Sequence, residues 1–316
     1  MDVLVLGGTS FVGRAIVEDL LVRGHTPTLF SRGRTGTELF PGVERLLGDR
    51  DTGDYAALDR RRWDAVVDVT AYVPRHVEQA VTALDDHAGR YVFISTGLVY
   101  NHVGAGDGLT ETTARVEPYR ESETIDDETY GPLKAACEED LEAYFGDRLS
   151  VIRPGWVVGP HDPHDRLTYW LRRAARGGPV ALPSRLDRPV QVVDVRDLAR
   201  LVVVLLESDR SGAYNAVGPA EPVTLEELVR TCGVVDPVEL SGDDLDLPLL
   251  LPDASWDVMQ RISAAAAYDA GMPRTPLART VADTRAWDLS RGEPPLAAWM
   301  SEAEEAELLK AALGTA

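Results

Sequence analysis

Two rhythms of hydrophobic and polar positions alternate through the first half of this chain. Short β-branched or aromatic runs at residues 3–6, 28–30, 65–69, 91–95 and 150–153 predict strands. Between them apolar residues recur at helical spacing, as Val12, Ile16 and Leu20, and as Val77, Ala80, Val81 and Leu84. Gly24 follows the first of these helices, where a left-handed residue closes the last turn. Alternating strands and helices predict an α/β fold, with a parallel sheet covered by helices on both faces.

After about Pro154 the pattern loosens. His, Asp and Pro cluster in GPHDPHDR, and Gly and Pro recur through GGPVALPSRLDRP. VQVVDVRDLARLVVVLL reads as a strand feeding a helix, and Ser301 with Glu304 forms a capping box for a last helix. The expected division is a first domain over 1–154 and a smaller, partly interleaved region over 155–316. Segments near 188–220 are expected to return to the first core.

Composition narrows the classes. The 316 residues suffice for one large or two modest domains, and 44% hydrophobic with 27% charged residues is the profile of a soluble globular protein. The purest apolar run, residues 201–206, falls far short of the roughly 18 residues a membrane span needs. MDVLVLGG has no basic n-region, so no signal peptide is expected and a cytoplasmic location is. Cys137 and Cys232 form neither a disulfide framework nor a metal cluster. The formal charge of −20 disfavours nucleic-acid binding, which leaves a small molecule as the expected partner.

VLVLGGTSFVGRAIVEDL then places a glycine cluster between the first strand and the first helix, where free amides and the helix dipole receive a pyrophosphate. Gly7 permits the tight turn and Gly13 lets the helix approach the sheet, while Ser10 stands where a GxxGxxG pattern has its middle glycine. A dinucleotide-binding, Rossmann-type turn follows. The second strand ends in TLFSRGRT, with Ser31, Arg32 and Arg34 and no acid. Guanidinium groups pair with a 2′-phosphate that a carboxylate would repel, so NADP is expected over NAD. Asp49, with Arg50 beside it in LLGDRDTGD, is placed to hold the adenine amino group.

ETYGPLK sets Tyr130 and Lys134 four apart, on one helical face. With GGTSFVG, YVFISTGLVY, VIRPGWVVGP, VQVVDVRDLA and YNAVGP in this order, the chain resembles the extended short-chain dehydrogenase/reductases, also called the NAD-dependent epimerase/dehydratase family. Its wording is most similar to a bacterial branch allied to chloroplast stem-loop-binding proteins. The resemblance implies a Rossmann-type doubly wound sheet with a smaller substrate region, and a catalytic set of Thr96, Tyr130 and Lys134. In that set Tyr130 moves a proton. Lys134 and the cofactor's positive ring lower its pKa from about 10, and Lys134 also bonds the ribose. The same pattern implies that Thr9, Ser10, Phe11 and Val12 line the phosphate turn. It also implies that Thr70 and Ala71 run beside the dinucleotide and that Pro154 to Val157 border the nicotinamide.

Departures from the pattern shape the substrate expectation. Gly97 and Leu98 replace the Asp-Glu pair of the sugar-nucleotide dehydratases, and Trp156 replaces the asparagine usual in epimerases. Asp194 and Arg196 likewise stand where the family has His and Asp. Gly97, Leu98, Trp156, His161 and Trp170 are the expected substrate contacts, Trp170 being equally readable as core. His161, Asp162, His164 and Asp165 carry metal-ligating chemistry, but their spacing is not that of a helical zinc pair, and no metal is expected. The reading is an NAD(P)-dependent oxidoreductase or epimerase acting at an alcohol or ketone carbon of a small polar or glycosylated metabolite. Its rival is a non-catalytic NAD(P)-binding regulatory or RNA-contacting protein. Dimerisation is the family's habit.

Overall fold

Strand β1 (Asp2–Leu6) leads into helix α1 (Phe11–Val22), and β2 (Thr26–Ser31), β3 (Glu44–Leu47) and β4 (Trp63–Asp68) follow. Helix α2 (Pro74–Leu84), β5 (Ala88–Ile94), α3 (Tyr130–Phe145) and β6 (Leu149–Pro154) complete the first half. The second half runs β7 (Trp156–Val158), α4 (Arg166–Arg176), β8 (Pro179–Pro183), β9 (Pro189–Val190), β10 (Val192–Asp194), α5 (Val195–Glu207) and β11 (Gly212–Ala216). Then come β12 (Val223–Thr224), α6 (Leu225–Cys232), β13 (Asp236–Leu240), α7 (Ala265–Ala270), α8 (Leu277–Ser290) and α9 (Glu302–Leu313). This computed structural model describes residues 1–314 apart from 59–60, 107, 220–221, 234–235, 241–244, 246, 252, 297 and the side chain of residue 85.

Seven strands form the central sheet in the order β11-β6-β5-β4-β1-β2-β3, and every neighbouring pair is parallel. Because both faces are covered, the strands are apolar almost throughout. Val3 and Val5 point into one core with Ile16, Leu20 and the α5 leucines, while Leu4 and Leu6 point into the other with Val77, Leu84 and Leu141. Each such fully buried aliphatic side chain contributes about 1.5–3 kcal/mol. Gly24 stands after α1 at φ 79°, the left-handed conformation its position requires.

The late segment Gly212–Ala216 lies beside β6 at the sheet edge, and α5 packs in the same core as α1. A third core gathers α4, α6, α8 and β8 around Trp170, Leu171, Leu228 and Val281. Ser301 and Glu304 form the capping box that opens α9. Buried Glu305 ties that helix down, accepting from Arg173, Arg176 and the Ala181 amide. Among the described residues no helix is long and apolar enough to cross a membrane.

Candidate active site

At the end of β1 the chain reverses through Gly7 and Gly8, at φ 113° and 97°. Only glycine adopts such angles freely, and a Cβ on Gly13 would lie 2.7 Å from the Gly8 nitrogen. The turn and the helix therefore touch backbone to backbone. Ser10 occupies the N-cap, but its side chain makes no capping hydrogen bond, so it takes none of the first-turn N–H groups away from an anion. Gly7, Thr9, Ser10, Phe11 and Val12 line one end of a cavity of about 890 Å³. These residues fit a dinucleotide pyrophosphate.

Ser31, Arg32, Arg34, Asp49 and Arg50 line the same end. Arg32 pairs with Asp51 at 3.2 Å and Arg34 with Asp49 at 3.8 Å, both guanidinium groups being largely exposed. Arg50 is different. Its five N–H groups are all engaged, with the Tyr55 hydroxyl, both Asp68 oxygens, the Thr70 hydroxyl and the His76 carbonyl. It shapes the cavity floor and has no donor left for a ligand, contrary to the grip expected of it. Asp68 is fully buried. Burial raises its carboxyl pKa, but the pairing with Arg50 prevails and holds it below the usual range. Asp68 also accepts from the Thr70 and Ala71 amides, which fixes the loop beyond β4.

That loop meets α3. A Cβ on Gly131 would lie 2.4 Å from the Leu98 carbonyl, so the glycine lets the start of α3 press against the turn after β5. Tyr130 and Thr96 thereby face one cavity wall. One turn on, Lys134 is buried over the Phe93 ring and donates to the Ala71 carbonyl at 2.8 Å and the Ile94 carbonyl at 2.6 Å. Burial brings its pKa down to about 8.

The Tyr130 phenol is pushed up to about 12, chiefly by burial, with the Tyr72 phenol adding to the rise. A hydrogen bond from Thr96 and the positive charge of Arg166 oppose that rise. Lys134, whose ammonium is turned to two carbonyls, is not among the leading influences. The phenol is therefore raised where a lowering by lysine was expected, and the rise is opposed first by Thr96 and then by Arg166, an arginine that motif reasoning passed over. The Thr96 hydroxyl accepts from the Leu98 amide. Ser95, also on the wall, has a buried hydroxyl with no partner among the described residues.

Beyond Tyr130 the cavity is closed by distant segments. β7 pairs with β10 so that Trp156 lies against Val192. The Gln191 side chain brackets the Ile262 backbone, accepting from its N–H at 2.8 Å and donating to its carbonyl at 3.0 Å. Gly97, Leu98, Pro154, Trp156, Val157, Arg166, Gln191, Met259, Gln260 and Ile262 all line this end, with Thr70 nearer the middle. Little in the sequence marks Gln191, Leu251, Met259, Gln260 or Ile262, since only folding brings them here.

Four expected contacts lie off the cavity wall. Gly13 acts through helix packing, and Ala71 is buried and offers its carbonyl to Lys134. His161 turns to Arg14 at 3.2 Å and to the Trp287 ring. Trp170 is fully buried in the third core, its indole N–H donating to the Pro248 carbonyl at 3.2 Å. It is a core residue, and its polar edge is satisfied there. Asp162 accepts from the His164 and Arg166 amides and from the Arg166 side chain. Among the described residues no group of three or more His, Cys, Asp or Glu is arranged to hold a metal ion.

Comparison with known proteins adds to this geometry. Residues 3–217 match the model of the NAD dependent epimerase/dehydratase family. The chain is 26% identical to a 2-alkyl-3-oxoalkanoate reductase of Stenotrophomonas maltophilia, over 96% of its own length and 88% of that protein. It is 25% identical to the chloroplast stem-loop binding protein of 41 kDa b of Arabidopsis thaliana over 73% of its length, spanning 62% of that relative. The fold is similar to that of Thermus thermophilus UDP-glucose 4-epimerase in complex with NAD. The TM-score is 0.65 at 22% identity, over 90% of this chain and 99% of the other.

Proposed function

We propose that this chain, which belongs to the NAD-dependent epimerase/dehydratase family, moves a hydride at an alcohol or ketone carbon with Tyr130 as the acid/base. The observation that carries this reading is the meeting of Thr96, Tyr130 and Lys134 on a cavity continuous with the glycine turn. A nicotinamide dinucleotide, when bound, supplies or accepts the hydride. Gly7 to Val12 would hold its pyrophosphate. Lys134 has three N–H groups and two are donated to carbonyls, so the third is free for a ribose hydroxyl.

At the reacting carbon, the raised pKa of Tyr130 keeps it protonated near neutrality, ready to donate to a carbonyl oxygen. Thr96 takes the Leu98 amide on its oxygen and gives its hydrogen to the Tyr130 oxygen, from which it would turn to orient a bound substrate oxygen. Residues 155–316 chiefly supply substrate contacts on this reading. Arg32 and Arg34 favour NADP by leaving Asp51 and Asp49 for a 2′-phosphate. A reductase releases oxidised cofactor, whereas an epimerase regenerates it, so net NADPH consumption separates the two.

The test is NADPH oxidation with a panel of ketones that includes a 3-oxoalkanoate, chosen because of the Stenotrophomonas relative. Tyr130→Phe should lower kcat by about 10²–10⁴-fold and leave NADPH affinity within about twofold. Unchanged turnover would remove Tyr130 from the chemistry.

A further inference from the structure

Arg166 stands apart from the other arginines of its helix. Arg172 pairs with Asp288, Arg173 with Glu305, and Arg176 with Glu302 and Glu305, none of them on the wall of the large cavity. Arg166 is on that wall, its guanidinium carbon 5.8 Å from the Trp156 ring centre. Its Nη1 donates to Asp162 at 2.8 Å. Its Nε is buried with no partner among the described residues. Asp162 also accepts two backbone N–H groups, so the carboxylate holds the guanidinium in place from behind.

The surroundings sharpen the contrast. The chain carries a net charge of −20. Yet no Asp or Glu is among the described residues that line the cavity beyond Asp51. Lys134 gives two N–H groups to carbonyls and would give its third to the cofactor ribose, which leaves Arg166, among the described residues, as the cation with donors to spare for a substrate. Leu251, Met259 and Ile262 line the same cavity and give it an apolar wall. A neutral polyol would leave a desolvated guanidinium edge unanswered, at the cost of an unmade charged hydrogen bond. A carboxylate or phosphate answers it with a planar fork of charge-assisted hydrogen bonds.

We propose that Arg166 is the anion anchor of the substrate site. The substrate is then a small ketone or alcohol whose carboxylate or phosphate lies a few bonds from the reacting carbon, with an alkyl part against Leu251, Met259 and Ile262. The proposal rests on the Tyr130 chemistry only for where that carbon sits. It also couples binding to catalysis, because an anion on Arg166 offsets the charge that opposes protonation of Tyr130.

Binding, not turnover, is the test. Calorimetry on the Tyr130→Phe protein, with and without NADPH, compares 3-oxohexanoate, its ethyl ester and dihydroxyacetone phosphate. At least one anion should bind about tenfold or more tighter than the ester. The better of the two identifies carboxylate or phosphate. Arg166→Met should abolish that advantage without weakening NADPH, and Arg166→Lys should keep part of it. Arg166→Gln, which keeps a neutral N–H donor without the charge, serves if the Met variant does not fold. Equal binding of acid and ester, equal losses for both in the Arg166 variants, or no binding of either anion at millimolar concentration would overturn the proposal. Failure to bind NADPH with the anion preference intact would instead count against the cofactor chemistry and leave the anchor standing.

Discussion

The two ends of the cavity are built in opposite ways. The nucleotide end comes largely from one stretch, Gly7 to Asp51, in which a strand, a glycine turn and a helix follow each other directly. The reacting end is assembled from Ser95 to Leu98, Tyr130, Lys134, Trp156, Arg166, Gln191, Leu251, Met259, Gln260 and Ile262. Local backbone conformation suffices for the first, since a turn and a helix N-terminus bind phosphate almost wherever they occur. The second needs the whole sheet, because its charges are set by burial and by partners far away in sequence.

The largest effect is expected where the two ends share a support. Arg50→Met leaves the buried Asp68 carboxylate without its bidentate partner and should cost about 3–5 kcal/mol in urea unfolding. It should also loosen the Thr70–Ala71 loop that receives Lys134. A loss below about 1 kcal/mol would show that Tyr91 and the two loop amides satisfy Asp68 alone.

A smaller effect belongs to the nucleotide end by itself. Arg32→Ala with Arg34→Ala should weaken NADPH by about tenfold and leave NADH nearly unchanged. Equal losses for both cofactors would mean that these arginines serve Asp51 and Asp49, not a 2′-phosphate.

A pH signature belongs to the reacting end. The folded-state pKa of Lys134, about 8, lies below its ordinary value of 10.5. Between those values the unfolded chain holds a proton that the folded chain lacks, so stability should rise with pH through that window. Below it, the buried ammonium costs stability. Lys134→Met should remove the rise, as followed by urea midpoints from pH 7.5 to 10.

Legibility in the sequence follows the same divide. The β-branched runs, the spacing of Val12, Ile16 and Leu20, Gly24 and the Ser301–Glu304 box are local signals, and the elements stand where those signals place them. Tyr130 and Lys134 are visible as a helical pair, although the burial that raises the phenol pKa and the contacts that oppose the rise are not. Arg166 sits beside Asp162 and His164 in PHDPHDR, yet nothing local distinguishes a cavity arginine from an exposed one. Arg50 shows the converse, since its partners Tyr55, Asp68 and the His76 carbonyl come from three separate segments that only folding joins. Trp170 was ambiguous because an indole suits a core and a binding wall equally well.

The central claim is that this cavity holds a nicotinamide dinucleotide against Tyr130. Its most direct test is a tryptophan-fluorescence titration of purified, nucleotide-stripped protein with NADPH and then NADH. The account predicts saturable binding of both, tighter for NADPH and retained in Tyr130→Phe. Absence of binding by either nucleotide would contradict it.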